Sequence, residues 1–329
     1  MDWKGPELKI QYLSSGDGAE VVSCFGPVSR LRLPDTAGGL PIRGIRPYAF
    51  SSESSAAEHL PEGAEIHTAS AKGTAVPESR FQFLGGRYLQ EIGLPAGIRS
   101  IGEYAFYNCT RLARIRLSGG AVRVGNGAFM NCGDLAEIGF SASSGDQTCL
   151  FDLLAEIPGE IRVSFRCGAE HSVFLFPEYY EESVENGPAR IFERKIVGVG
   201  YRYRQCFDGD RLKTAEYDRQ FSICLPQMEP KTALRIALNR LKYPFNTREA
   251  ARKQYLAYLA ENAAAAARLA VRKDDPDGLS FLAGLGVLDR DSIGAAVEEA
   301  AHEGRAECLG VLLNERHLLF PDQEKTFDL

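Results

Sequence analysis

The sequence is short of the residues that build metal and redox centres. Its five histidines, at 59, 67, 171, 302 and 317, stand without ligand spacing. Eight cysteines occur, but none is paired as Cys-x-x-Cys, so zinc-ribbon and thioredoxin-like readings lack support. A disulfide framework belongs to short secreted chains, and at 329 residues this one is not short. No apolar run approaches the roughly 18 residues that span a bilayer. The opening Met1-Asp2-Trp3-Lys4-Gly5-Pro6-Glu7 has no apolar stretch of signal-peptide length. The expectation is a cytoplasmic protein with reduced thiols, surface export staying open if a leader has been trimmed. Excess basic charge is missing too: the net charge of −6 disfavours a general nucleic-acid or anionic-membrane partner.

Catalytic signatures are equally scarce. The adjacent carboxylates Glu181-Glu182 and Glu298-Glu299 do not face each other on a helix or strand, so neither pair is an acid/base dyad. Gly198-x-Gly200 is too short for a phosphate-binding fingerprint. No catalytic residue, metal ligand or cofactor is expected.

What is present is a repeat. Phe83, Phe106 and Phe129 lie 23 residues apart, as do Leu89, Leu112 and Leu135, and Ile92, Ile115 and Ile138. A fixed period in the twenties predicts a solenoid. One coil cannot bury its own Leu, Ile and Phe, whereas stacked coils bury them as columns. Ile101, Phe106, Leu112, Ile115 and Leu117 should point inward. Cys109 and Cys132 share a repeat position that suits a small apolar residue. Asn108 and Asn131 fit an internal ladder whose amides satisfy a tight bend. Phe50 precedes Phe83 by one period plus ten residues, so Ser51–Arg80 reads as a surface loop within that coil. Ahead of the repeat, Ser14-Ser15-Gly16-Asp17-Gly18 predicts a hairpin turn within residues 8–25, and the hairpin would cap the first coil.

The pattern Leu-x-x-Ile-x-Leu-Pro, Ile-x-x-Ile-Gly-x-x-Ala-Phe, Asn-Cys resembles the BspA-type leucine-rich repeat. It is clearest over residues 89–140 and extends over 28–140. The resemblance implies one short parallel strand per repeat on a concave face and an irregular or short helical return. It also implies protein–protein or cell-surface interaction rather than catalysis. In that geometry Glu91, Arg114 and Glu137 face outward at one repeat position, with Arg116 at another. These four are the candidate partner-binding residues. They have two readings, a cross-strand charge ladder and a polar recognition face, and the ladder needs no partner.

Beyond residue 140 the period fades. Ile161–Cys167 alternates apolar with polar, as a half-buried strand should, and Val173–Phe176 could return beside it across Gly168–Ser172. Tyr201-Arg202-Tyr203-Arg204 also alternates, and Phe221–Leu225 is a further candidate strand. Aromatic residues interleaved with arginine can stack bases, so Tyr201, Arg202, Tyr203 and Arg204 form an alternative binding site. Nearby acids dilute that charge. From Pro230 the pattern turns helical. Leu234, Leu238 and Leu241 have helical spacing, Thr247 could cap a helix running to about Arg272, and Asp275-Pro276 starts another. Residues 270–282 align with 300–312 at a constant offset of 30, and about 262–316 resembles the helix–turn–helix of ankyrin repeats, which again implies binding.

The expected fold class is therefore α+β and modular. A cap hairpin spans 1–27, a leucine-rich-repeat β solenoid 28–145, a β-rich module 146–228 and an α-helical, ankyrin-like domain 229–329. The expected function is a non-enzymatic scaffold for a protein or peptide partner, with a nucleic-acid or enzymatic site in 146–228 as the alternative.

Overall fold

Gly16 adopts a left-handed φ of 55° and turns β1 (Leu8–Ser15) into the antiparallel β2 (Gly18–Gly26). The chain is seen here in a computed structural model that describes residues 6–53, 56–71, 77–120, 122–186 and 191–320. It divides into two units, Met1–Gln220 and Phe221–Leu329.

In the first unit, β3 (Arg30–Arg32), β4 (Thr36–Ala37) and β5 (Leu40–Ile45) complete the first coil. β2 pairs with β5 in parallel and buries Ala19, Val21 and Val22, so the hairpin caps the first coil. After Phe50 the chain leaves the solenoid. It makes a 3-10 turn at Ala56–His59, β6 (His67–Ala71), a second 3-10 turn at Glu78–Arg80 and β7 (Gln82–Phe83). β6 pairs with β1 and β7 with β2, while Leu60, Ala64 and Ile66 pack on Leu13, Val22 and Ala56. The segment expected as a surface loop thus builds part of the cap. His67-Thr68-Ala69-Ser70-Ala71 lacks the large apolar residues that would have marked a strand.

The repeats then follow as β8 (Glu91–Gly93) with β9 (Ser100–Ile101), β10 (Arg114–Leu117) with β11 (Arg123–Val124), and β12 (Glu137–Phe140). Each coil adds in parallel to its predecessor, placing Ile92 beside Ile115 and Ile115 beside Ile138. Ile101, Phe106, Leu112, Ile115 and Leu117 are all buried, as the period requires. The repeat glycine permits this close stacking. A Cβ on Gly102 would sit 2.4 Å from the Pro47 nitrogen, and one on Gly125 would sit 2.5 Å from the Glu103 nitrogen.

The phenylalanine column differs from its sequence spacing. Phe50 stacks on Phe106 at 5.0 Å and Phe106 on Phe129 at 5.2 Å, with rings within 8° of parallel. Phe83 lies outside the column, against Phe25 at 5.9 Å. The excursion after Phe50 returns at a position that imitates the period, and the stacking partner precedes it. Asn108 and Asn131 have φ of 58° and 60°, a conformation their short polar side chains tolerate. Their amides meet each other at the surface, Asn131 Nδ2 donating to Asn108 Oδ1 at 2.8 Å. The backbone-binding role expected of them falls to the cysteines. Cys109 Sγ donates to the Phe50 carbonyl at 3.2 Å and Cys132 Sγ to that of Phe106 at 3.1 Å.

The sheet does not stop at residue 145. After α1 (Leu150–Glu156), β13 (Ile161–Cys167) joins β12 in parallel, and β14 (Glu170–Phe176) folds back antiparallel as the expected hairpin. Its loop is only Gly168-Ala169, with Gly168 at φ 58°. The second sheet therefore runs β14-β13-β12-β10-β8-β3, and the first runs β11-β9-β5-β2-β1-β6. β15 (Tyr180–Asn186) and β16 (Ile191–Val197) make a separate ribbon. α2 (Gly200–Arg204), β17 (Phe207–Asp208), β18 (Arg211–Leu212) and α3 (Thr214–Cys224) follow. The Tyr217 hydroxyl donates to the Leu175 carbonyl at 2.6 Å and accepts from its N–H at 3.0 Å, which covers the open edge of β14.

Two expected strands are helical. Tyr201-Arg202-Tyr203-Arg204 lies in α2, and Phe221–Cys224 lies in α3. In α2 the buried Arg204 guanidinium donates to the carbonyls of Leu154 (3.3 Å), Ile157 (2.8 Å), Gly159 (2.7 Å) and Pro177. Those carbonyls reward a helical turn that drives Arg204 inward, a tertiary effect that alternation cannot register.

The second unit holds α4 (Pro230–Lys242), α5 (Glu249–Glu261), α6 (Ala263–Arg272), α7 (Pro276–Gly284), α8 (Arg290–His302) and α9 (Ala306–Leu319). The single helix expected from Thr247 to Arg272 is two helices, because Asn262 leaves helical geometry at φ −120°. Thr247 does not act as the cap: its hydroxyl accepts from Arg240 at 2.7 Å. Asp275 does cap α7, accepting from the Gly278 N–H at 2.8 Å. The offset of 30 is reproduced in the turns. Asp274 and Gly304 are both left-handed, and Asp275 and Arg305 each donate an N–H, to Ala270 and Ala300 at 3.0 and 2.9 Å. α6 packs on α8, and α7 on α9.

The phenylalanine column carries a stability test. Phe106→Ala, which removes the middle ring, should cost about 3–5 kcal/mol in urea unfolding. Phe83→Ala should cost clearly less, since that ring is only half-buried and outside the stack.

Candidate functional site

The side chains that alternate outward on the second sheet form two columns. In register, the first is Arg30, Glu91, Arg114, Glu137 and Arg162, and the second is Arg32, Gly93, Arg116, Gly139 and Ser164. The inward residues Leu31, Ile92, Ile115, Ile138 and Val163 are buried, so the core fixes the outward face.

The structure brings Glu91, Arg114, Arg116 and Glu137 together on this face and pairs them with one another. Arg114 reaches Glu91 at 3.1 Å and Glu137 at 2.8 Å. Arg116 reaches Glu91 at 2.6 Å, and Arg162 reaches Glu137 at 3.1 Å. Burial alone would raise the Glu91 pKa, but bonds and charge from Arg116 and Arg114 outweigh it and leave the carboxyl below its usual value. Arg114 shows the converse balance: burial opposes its charge, and Glu137 and Glu91 restore it and raise its pKa. Gly93 and Gly139 flank Arg116 and offer it no side chain to pair with.

Sequence reasoning missed three members of this face. Arg162 arrives 25 residues after Glu137, so a strict period passes over it. Arg30 and Arg32 stand in the first coil, one just before and one within the short Leu31-Arg32-Leu33-Pro34 motif, separated from the later repeats by the excursion after Phe50. Alternation about Leu31 was the available signal.

The alternative site does not assemble as one surface. Tyr203 and Arg204 are buried, while Tyr201 and Arg202 are exposed, Tyr201 lying 5.8 Å from Tyr179. Among the described residues no group of three or more His, Cys, Asp or Glu is placed to hold a metal, and no helix is long and apolar enough to cross a membrane. Seven of the eight thiols are buried or half-buried, and Cys167 is exposed. Burial pushes Cys24 and Cys109 upward and takes Cys132 and Cys149 to about 12.

Residues 77–148 match the family model described as BspA type Leucine rich repeat region (6 copies). A crystal structure of a leucine-rich repeat protein from T. pallidum (TpLRR) is 22% identical, with a TM-score of 0.25. The match covers 40% of this chain and 50% of that one, so the chain spans about half the length of the solved structure it matches. No curated protein matches the chain.

Two outcomes are expected. The Glu91 pKa is lower folded than unfolded, so its contribution to stability is full above the ordinary value of 4.5 and is lost as pH falls through the depressed folded value. The gap in urea midpoint between wild type and Glu91→Gln should therefore be present at pH 7 and close in acid. In native thiol titration, one fast-reacting thiol is expected, and Cys167→Ser should remove it.

Proposed function

We propose, from a solenoid whose residues 77–148 match the BspA-type leucine-rich repeat model, a non-enzymatic scaffold that binds a protein or peptide partner through its repeat surfaces. The observation that carries this reading is the outward face of the second sheet. Its side chains are held in register by buried columns, so the surface needs little ordering on binding. Glu91, Arg114, Arg116 and Glu137 belong to the contact surface, where their mutual pairing sets both stability and pattern.

The helical unit supports a second binding module of ankyrin-like type. Its two helix pairs repeat at 30 residues with the same turn hydrogen bond, and Arg272–Glu299 (2.6 Å) and Arg305–Asp274 (3.4 Å) link successive pairs. We place the protein in the cytoplasm, where eight cysteines outside any disulfide suit a reducing compartment. A nucleic-acid or catalytic site in 146–228 has less support, because Tyr203 and Arg204 are spent in the core.

A pull-down from native lysate tests the proposal. Wild-type protein should capture a protein partner saturably, and Arg114→Glu, shown by circular dichroism to be folded, should weaken capture severalfold. Capture of no protein by the wild type, or capture unchanged by Arg114→Glu, would count against this reading of the face.

A further inference from the structure

The strand face holds more arginine than its carboxylates can absorb. Five arginines (Arg30, Arg32, Arg114, Arg116 and Arg162) share it with two glutamates. All four carboxylate oxygens are taken. Glu91 Oε1 accepts from Arg116 and Oε2 from Arg114, while Glu137 Oε2 accepts from Arg114 and Oε1 from Arg162. Arg30 stands beside Glu91 in register, where both Glu91 oxygens already accept from other arginines. Arg30 and Arg32 are both exposed, and no ion pair among the described residues engages either.

This surplus sits at an edge. Among the described residues β3 is the last strand of its sheet and is paired only by β8. An edge strand offers unpaired N–H and C=O groups to another strand, and charge on it selects which strand may come. Arginine repels a basic strand from that edge and favours an acidic one. Side chains two residues apart on a strand face the same way, about 6.8 Å apart. Arg30 and Arg32 have this relation, and so do the two acids of a Glu-x-Glu segment. Each guanidinium can then grip a carboxylate with paired N–H groups.

We propose that β3 is the docking edge for an extended acidic segment of a partner protein, which adds as a strand and sets alternate carboxylates on Arg30 and Arg32. The inference rests on the reading of the solenoid as a protein-binding scaffold and names the chemistry of its partner. A peptide brings its own main-chain donors and acceptors to the edge, which a phosphate backbone cannot do, and the −6 chain repels a polyanion overall.

The test is fluorescence anisotropy with a labelled Thr-Glu-Thr-Glu-Thr-Glu-Thr peptide. Saturable binding is expected, and R30E/R32E should weaken it about tenfold or more. Both side chains are exposed, so that variant should keep the wild-type circular dichroism and melting curve. A control carrying Arg123→Glu and Arg316→Glu makes the same change of net charge elsewhere and should bind as wild type. N-methylation of alternate peptide nitrogens should abolish binding in one of its two registers. Equal binding by R30E/R32E, or by both N-methylated peptides, would overturn the proposal. So would oligothymidylate binding tighter than the peptide and lost in the same variant. A lysate partner that R30E/R32E still captures fully sinks this inference and leaves the scaffold reading intact, whereas absence of any captured partner sinks the scaffold reading itself.

Discussion

A single coil of this chain cannot close a core, and everything else in the first unit follows from that. Each coil offers only a short set of Leu, Ile and Phe side chains inward, too few to exclude water from themselves. Stacking makes three continuous columns of them, seen in the Phe50–Phe106–Phe129 rings and in the paired Ile92, Ile115 and Ile138. Close stacking in turn demands glycine where coils touch, at Gly102 and Gly125, and the Cys109 and Cys132 thiols bond carbonyls of the preceding coil. Both ends must then be closed. β1, β2, β6 and β7 close one end, and β14 with Tyr217 closes the edge at the other.

The interior of the repeat was legible because it obeys a local period. Phe106, Phe129 and the Leu and Ile columns were readable from spacing alone, as was the Asp275 cap. The 30-residue offset between Asp274 and Gly304 was also visible, because a turn's needs are local. What was not legible depends on distant partners. Phe83 keeps the numerical period while its ring belongs to Phe25. Tyr201–Arg204 alternates like a strand, yet carbonyls some 27 to 50 residues away hold Arg204 in a helix. Asn262 breaks a run that composition alone would carry through.

The candidate site shows the same division. Glu91, Arg114, Arg116 and Glu137 could be placed on one face from sequence, and their alternating signs already suggested a ladder. The geometry sharpens this: Arg114 bridges two carboxylates, and each carboxylate serves two guanidiniums. Exposed pairs of this kind contribute on the order of 0.2–1 kcal/mol each. The ladder is therefore a modest stabiliser. Its larger effect is to fix side-chain positions on a surface whose strands are already fixed.

A ladder of alternating sign also has a parity. Arg30, Glu91, Arg114, Glu137 and Arg162 begin and end on arginine, so this column alone carries one excess positive charge. The second column adds Arg32 and Arg116, with glycine or serine where acids could have balanced them. The two ends of the ladder are not equivalent. At Arg162 the sheet continues into β14, whose outer edge Tyr217 covers. At Arg30 the sheet ends among the described residues. Uncompensated charge and uncompensated main chain thus coincide at β3, and they do so because one end of the stack was closed by a hairpin within the same sheet while the other was capped through its neighbour.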